Sequence, residues 1–219
     1  GRGRVRTFVR GSEQLPKVWT FIRQKIAEGR QAYIVYPRAE EEDARAGLKA
    51  VTREFEQVRQ ALAPHTAGLV HGRLKPQEKQ RVMDAFRANQ IQALVATSII
   101  EVGVDVPNAT VMLIENAGQF GLAQLHQLRG RIGRGAHESF CILVSALKTP
   151  EARARLQVLE ETSDGFQVAE ADLKLRGPGE LLGLDQSGLP SFRFGSLADD
   201  LALVERARSL AGRIFELPS

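Results

Sequence analysis

The dipeptide Gly-Lys occurs nowhere in these 219 residues. Its absence excludes the glycine-rich turn ending in Gly-Lys-Ser or Gly-Lys-Thr that cradles nucleotide phosphates. No apolar strand runs into an Asp-Glu pair that could hold magnesium. The acidic run Glu40 to Asp43 reads instead as a helix start, where acids suit the dipole. With Cys141 the sole cysteine, an internal disulfide is excluded, and no histidine and cysteine spacing suggests zinc or any other metal. Cys141 lies in the apolar run 140–144 and reads as a small core residue. No apolar run approaches the ~20 residues that cross a bilayer, and there is no signal peptide, so a soluble, cytoplasmic protein without membrane contact is expected. Neither sign of charge dominates. Lys and Arg number 30 against 26 acids, a net charge of +4, which hints at nucleic acid without the heavy excess of a basic arm.

What the chain does have is concentrated in residues 127–135, Gln-Leu-Arg-Gly-Arg-Ile-Gly-Arg-Gly. Guanidinium forks on a backbone slimmed by glycine are suited to phosphate oxygens and to charge that develops in phosphoryl transfer. A solvated loop that adheres to nucleic acid backbones is the plainer alternative. The preceding 123–128 have helical spacing, which puts the arginines at a helix end. Upstream, 91–97 read as a buried parallel strand and 110–115 as another, with Gly103 and Asp105 between them. On this reading the pieces converge on one carboxyl edge of an open sheet, where α/β ligands bind.

The remaining order alternates in the same way. Residues 12–29 form an amphipathic helix, 31–37 a strand closed by proline, 40–63 a long helix, 66–70 a strand and 77–89 a helix. This alternation predicts an α/β fold, an open parallel sheet flanked by helices, over residues 12–147. Residues 1–11 read as the remnant of a flexible basic linker, so that the chain looks cut from a longer one. His71 and Gly72 sit at a strand end where they could touch a nucleic acid backbone, although His71 can equally be a satisfied turn histidine. From 148 to 219 the alternation stops: a helical hairpin over 150–175, a glycine- and proline-rich loop over 176–196 and a terminal helix over 197–216 are expected.

The segments 96–105 and 127–134 resemble motifs V and VI of the second motor domain of superfamily 2 helicases. That resemblance implies that the sheet over 12–147 is RecA-like. It also implies ATP as cofactor, with Mg2+, both held mainly by a first motor domain outside this chain. It assigns Arg131 and Arg134 to the γ-phosphate, Gly103, Asp105 and Gln127 to the ATP site, and His71, Gly72, Thr97 and Ser98 to DNA. The tail, 169–180 followed by Gln186-Ser187-Gly188, resembles the translocation motif of RecG-type and Mfd-type proteins and is spelled more as in the former. It implies that Arg155, Arg176 and Gln186 couple ATP hydrolysis to DNA movement. Arg176 could fasten the loop through carbonyls or Glu160, or be no more than a helix-end cation. The expected intact protein is a monomeric bacterial helicase that remodels stalled forks and branched duplex DNA in recombination and repair, partnered by its own first motor and wedge domains. This chain alone should not hydrolyse ATP. The rival readings are an Mfd-like transcription-repair translocase and a noncatalytic DNA-binding module.

Overall fold

Six short segments lie side by side as parallel strands, and their two-residue period divides the side chains between two layers of helices. The computed structural model describes residues 3–37, 44–97, 106–146 and 148–181. Its elements are β1 (Val5–Gly11), α1 (Leu15–Ala27), β2 (Gln31–Val35), α2 (Ala44–Leu62), β3 (Ala67–Val70), α3 (Pro76–Arg87), β4 (Ala93–Ala96), β5 (Ala109–Ile114), α4 (Leu122–Arg129), β6 (Ser139–Ser145), α5 (Pro150–Glu161) and α6 (Gly165–Leu181). The sheet order is β1-β6-β5-β2-β4-β3, every neighbouring pair parallel. This is the open α/β sheet that the sequence predicts. Residues 1–168 form one compact unit and 169–219 a second.

One face of the sheet presents Tyr33, Val35, Leu94, Met112, Ile114, Cys141 and Leu143 to α3, α4 and α5, through Phe86, Leu125, Leu128, Leu156 and Leu159. The other presents Ile34, Val95, Val111, Leu113 and Ile142 to α1 and α2, through Val18, Ile22, Val58 and Leu62. Most of these side chains are wholly buried, each contributing roughly 1.5–3 kcal/mol of transfer free energy. The helix ends follow local chemistry. Proline opens α3 and α5, the Thr149 hydroxyl accepts the Ala152 N–H at 3.2 Å, and α1 closes at Gly29, whose φ of +84° needs no Cβ.

Two boundaries differ from those read in the sequence. Residues 5–11 are not linker: they form β1, in register with β6 from Val5 opposite Ser139 to Gly11 opposite Ser145. The basic residues Arg6 and Arg10 hid the strand, yet an edge strand tolerates charge on its open side. The loop expected from Arg176 also begins later, because α6 continues to Leu181. Glycine and proline disfavour a helix interior, proline by about 3 kcal/mol, yet α6 runs through Gly177-Pro178-Gly179. The remaining loop and the terminal helix expected over 197–216 lie outside the described residues.

Candidate nucleotide and nucleic-acid sites

The arginine-bearing turn grows directly out of α4. Leu122, Leu125 and Leu128 bury one stripe of that helix, and the Gln124 side chain accepts the Gly121 N–H at 2.9 Å at its start. Gln127 is on the exposed face. Beyond the helix, Ile132 is 1% exposed and anchors the turn. Gly133 then adopts a φ of +77°, which favours glycine. Space demands the same choice: a Cβ on Gly133 would meet the Val5 side chain at 2.4 Å, and one on Gly135 would meet the Pro107 carbonyl at 2.8 Å. The Gly133 carbonyl accepts the Gly3 N–H at 2.9 Å. With the backbone so held, Arg131 is half-buried and Arg134 exposed.

These contacts correct the expectation of one shared edge. Gly3, Pro107 and Ser139 lie at or just before the amino ends of β1, β5 and β6, so the turn belongs to the amino edge of the sheet. His71, Gly72 and Thr97 follow β3 and β4 and belong to the carboxyl edge. Strands of four to seven residues lie between the two edges, a rise of roughly 13–23 Å. The geometry is obligatory, since a helix that joins two parallel strands must run back to the start of the second. Arg131 and Arg134 therefore do not join His71, Gly72 and Thr97 in one pocket. Ser98, Gly103, Asp105 and Gln186, and the side chain of Arg176, lie outside the described residues.

At the carboxyl edge, Thr97 is buried and Gly72 exposed. His71 Nδ1 accepts the Arg73 N–H at 3.3 Å, so half of its ring serves the turn. Beyond β5, Glu115 is buried, and burial together with Glu54 raises its carboxyl to about 7. Burial also raises Tyr36, with Glu115 adding to the effect.

Two other arginines turn inward. From α5, the Arg155 guanidinium donates to the carbonyls of Gly118, at 3.0 Å, and Phe120, both just ahead of α4. Arg129, 6% exposed, donates to the Leu159 and Thr162 carbonyls at 2.6 and 2.8 Å. Desolvation lowers its pKa from the ordinary arginine value. The sequence reading missed Arg129, although a signal was present: it follows Leu122 by seven and Leu125 by four, on the buried stripe. Glu160, suggested as a partner for Arg176, accepts the Val9 N–H at 2.8 Å.

Residues 13–136 match the family described as helicase conserved C-terminal domain, and residues 162–218 match ATP-dependent DNA helicase RecG, domain 3, C-terminal. The chain is 50% identical over 212 residues to the ATP-dependent DNA helicase RecG of Synechocystis, covering 96% of this chain and 25% of that protein. It is 46% identical to the RecG of Thermotoga maritima, covering 95% and 27%, and 50% identical to that of Escherichia coli K12, covering 87% and 28%. The chain thus spans little more than a quarter of these relatives. A solved structure of RecG bound to a three-way DNA junction superposes with a TM-score of 0.70 at 44% identity, covering 94% of this chain and 26% of that one. Yeast Dbp5 bound to RNA and ADP shares the fold at 17% identity and a TM-score of 0.52, covering 80% and 45%. On the match over residues 13–136, this chain belongs to the helicase conserved C-terminal domain family.

Proposed function

We propose that this chain is the second motor domain and translocation element of a RecG-type ATP-dependent DNA helicase acting on branched DNA. The observation that carries the reading is the turn after α4, where glycine geometry holds two guanidiniums beside a backbone packed too tightly for any larger residue. The donor set fits phosphate: Arg131 and Arg134 stand on the turn, and residues 127–135 contain no acid. It does not fit magnesium, and among the described residues no group of His, Cys, Asp and Glu could hold a metal. ATP, when bound with Mg2+ by a first motor domain, supplies the phosphoryl group whose transfer drives the motor. Arg131 and Arg134 would bind its terminal phosphate oxygens and offset the negative charge that develops there. Gln127, Gly103 and Asp105 would complete that side of the cleft. His71, Gly72, Thr97 and Ser98 would track DNA from the opposite edge.

Arg155 ties α5 to the backbone ahead of α4, and Arg176 and Gln186 would extend that coupling into the tail. The enzyme so proposed is cytoplasmic and monomeric; no described helix is long and apolar enough to cross a membrane. The match of residues 162–218 to RecG favours this reading over an Mfd-like translocase. The test is fork-stimulated ATP hydrolysis by the intact enzyme. Arg134→Ala should abolish the stimulation while the variant still binds forks, and normal turnover by that variant would refute the assignment.

A further inference from the structure

Arg129 occupies a phosphate-binding motif in sequence and a core position in space. Its Nη1 donates to the carbonyls of Leu159 and Thr162 and comes within 3.4 Å of the Thr7 hydroxyl. Its Nη2 lies 2.9 Å from His126 Nδ1. A guanidinium can only donate, so Nδ1 accepts and the neutral ring carries its proton on Nε2. That Nε2 faces the first residue of α6, because a Cβ on Gly165 would lie 2.9 Å from it. One planar group therefore touches β1 and the end of α5, and through His126 it abuts the start of α6.

We propose that Arg129 is a positioning residue that transmits movement of the Arg131 and Arg134 turn to the corner at 159–165, with His126 setting its orientation. The proposal rests on the motor reading above. At one end the connection is short, since the N–H groups of Arg131 and Ile132 bond back to the carbonyls of Leu128 and Arg129. A shift of the turn is thus carried by a hydrogen-bonded bend rather than by slack chain. At the other end Thr162 receives the guanidinium on its carbonyl, while its hydroxyl bonds Gln167, at 2.5 Å, and the Asp164 N–H, at 3.1 Å. The last carbonyls of a helix have no donor within it. Nη1 bonds two of them while Nη2 bonds His126, so one rigid planar group holds the carbonyls and the ring in fixed relation, which a single ammonium cannot do.

The experiment uses intact enzyme and measures fork unwinding per ATP hydrolysed. Arg129→Lys should keep fork-stimulated hydrolysis and the KM for ATP within about threefold, while unwinding per ATP falls about tenfold, the scale of a lost coupling contact. His126→Phe, which keeps a ring and removes the acceptor, should uncouple in the same way. His126→Asn should restore coupling, because its Oδ1 can stand where Nδ1 stood. An unchanged ratio in Arg129→Lys, with hydrolysis and unwinding falling together, would overturn the proposal. Should Arg129→Lys fail to fold, equal ratios in the two His126 variants would overturn it. A wild-type enzyme whose hydrolysis ignored forks would remove the motor reading itself, and the proposal with it.

Discussion

Within six residues the chain uses the same side chain in two opposite ways. Arg129 points into the protein and is spent on carbonyls, whereas Arg134 is exposed and Arg131 half-buried on the turn. Nothing intrinsic to arginine separates them. Arg129 is the last residue on a helical stripe whose other members are buried leucines. After Gly130 the helical phase ends, and Gly133 at positive φ redirects the backbone. The comparison teaches that burial of a guanidinium is decided by the element it stands on and by the acceptors that element faces. Motif membership alone does not decide it.

Breaking the outward half should have the largest effect. In intact enzyme, Arg131→Ala or Arg134→Ala should lower fork-stimulated ATP hydrolysis by roughly 10³-fold or more, as loss of such an arginine does in phosphoryl transfer. Neither change removes core packing, so the thermal midpoint should stay within about 2 °C, as for most surface substitutions. Steady-state kinetics and thermal unfolding on the same preparations check both halves. Breaking the inward half should read out as stability instead. Arg129→Met leaves the Leu159 and Thr162 carbonyls without their donor, and should destabilise the chain by about 2–3 kcal/mol in chemical denaturation.

The sheet and most of its helices were legible because their signal is local. The unbroken apolar runs around Tyr33-Ile34-Val35 and from Val111 to Ile114, each bounded by polar residues or proline, need no partner to be read. Strand β1 was missed because Val5, Phe8 and Val9 are interleaved with arginine and threonine, a pattern that only pairing with β6 explains. Spelling put the arginine turn at a helix end, as observed, but on the wrong edge of the sheet. The rule that a crossover helix returns to the amino edge was available from the strand order and would have separated it from His71 and Thr97. Arg129 and Glu160 could not be read at all from motif spelling. Their partners, Leu159, Thr162 and Val9, lie 30 to 151 residues away in the chain.

The two edges also differ in how burial acts on charge, and this gives a smaller effect. The Glu115 carboxyl, raised to about 7 against 4.5 when free, binds its proton more tightly in the folded state. Below pH 4.5 both states are protonated and burial costs nothing through this group. As pH rises from 4.5 to 7, the unfolded state gains charge first, so stability falls, and the full cost is present above pH 7. Glu115→Gln removes that term and should raise stability at pH 8 by on the order of 2 kcal/mol, with little gain at pH 4. Denaturant midpoints across that range would show it, and an equal gain at both ends would mean that packing, not ionisation, is responsible.

The smallest effect tests whether α5 acts as a unit between the two inward arginines. Arg155 grips the backbone ahead of α4 from the first half of this helix, and Arg129 holds its last turn. At its start the Thr149 hydroxyl supplies the cap and Pro150 the first helical residue. Thr149→Ala removes one acceptor from an N–H that water can reach, and Pro150 keeps the helix start in place, so the loss should be about 1 kcal/mol. Because this cap touches neither arginine, hydrolysis and unwinding should fall by less than about twofold, their ratio unchanged. A ratio that dropped as far as in Arg129→Lys would mean that the stiffness of α5 as a whole carries the coupling, and that Arg129 is one fastening among several.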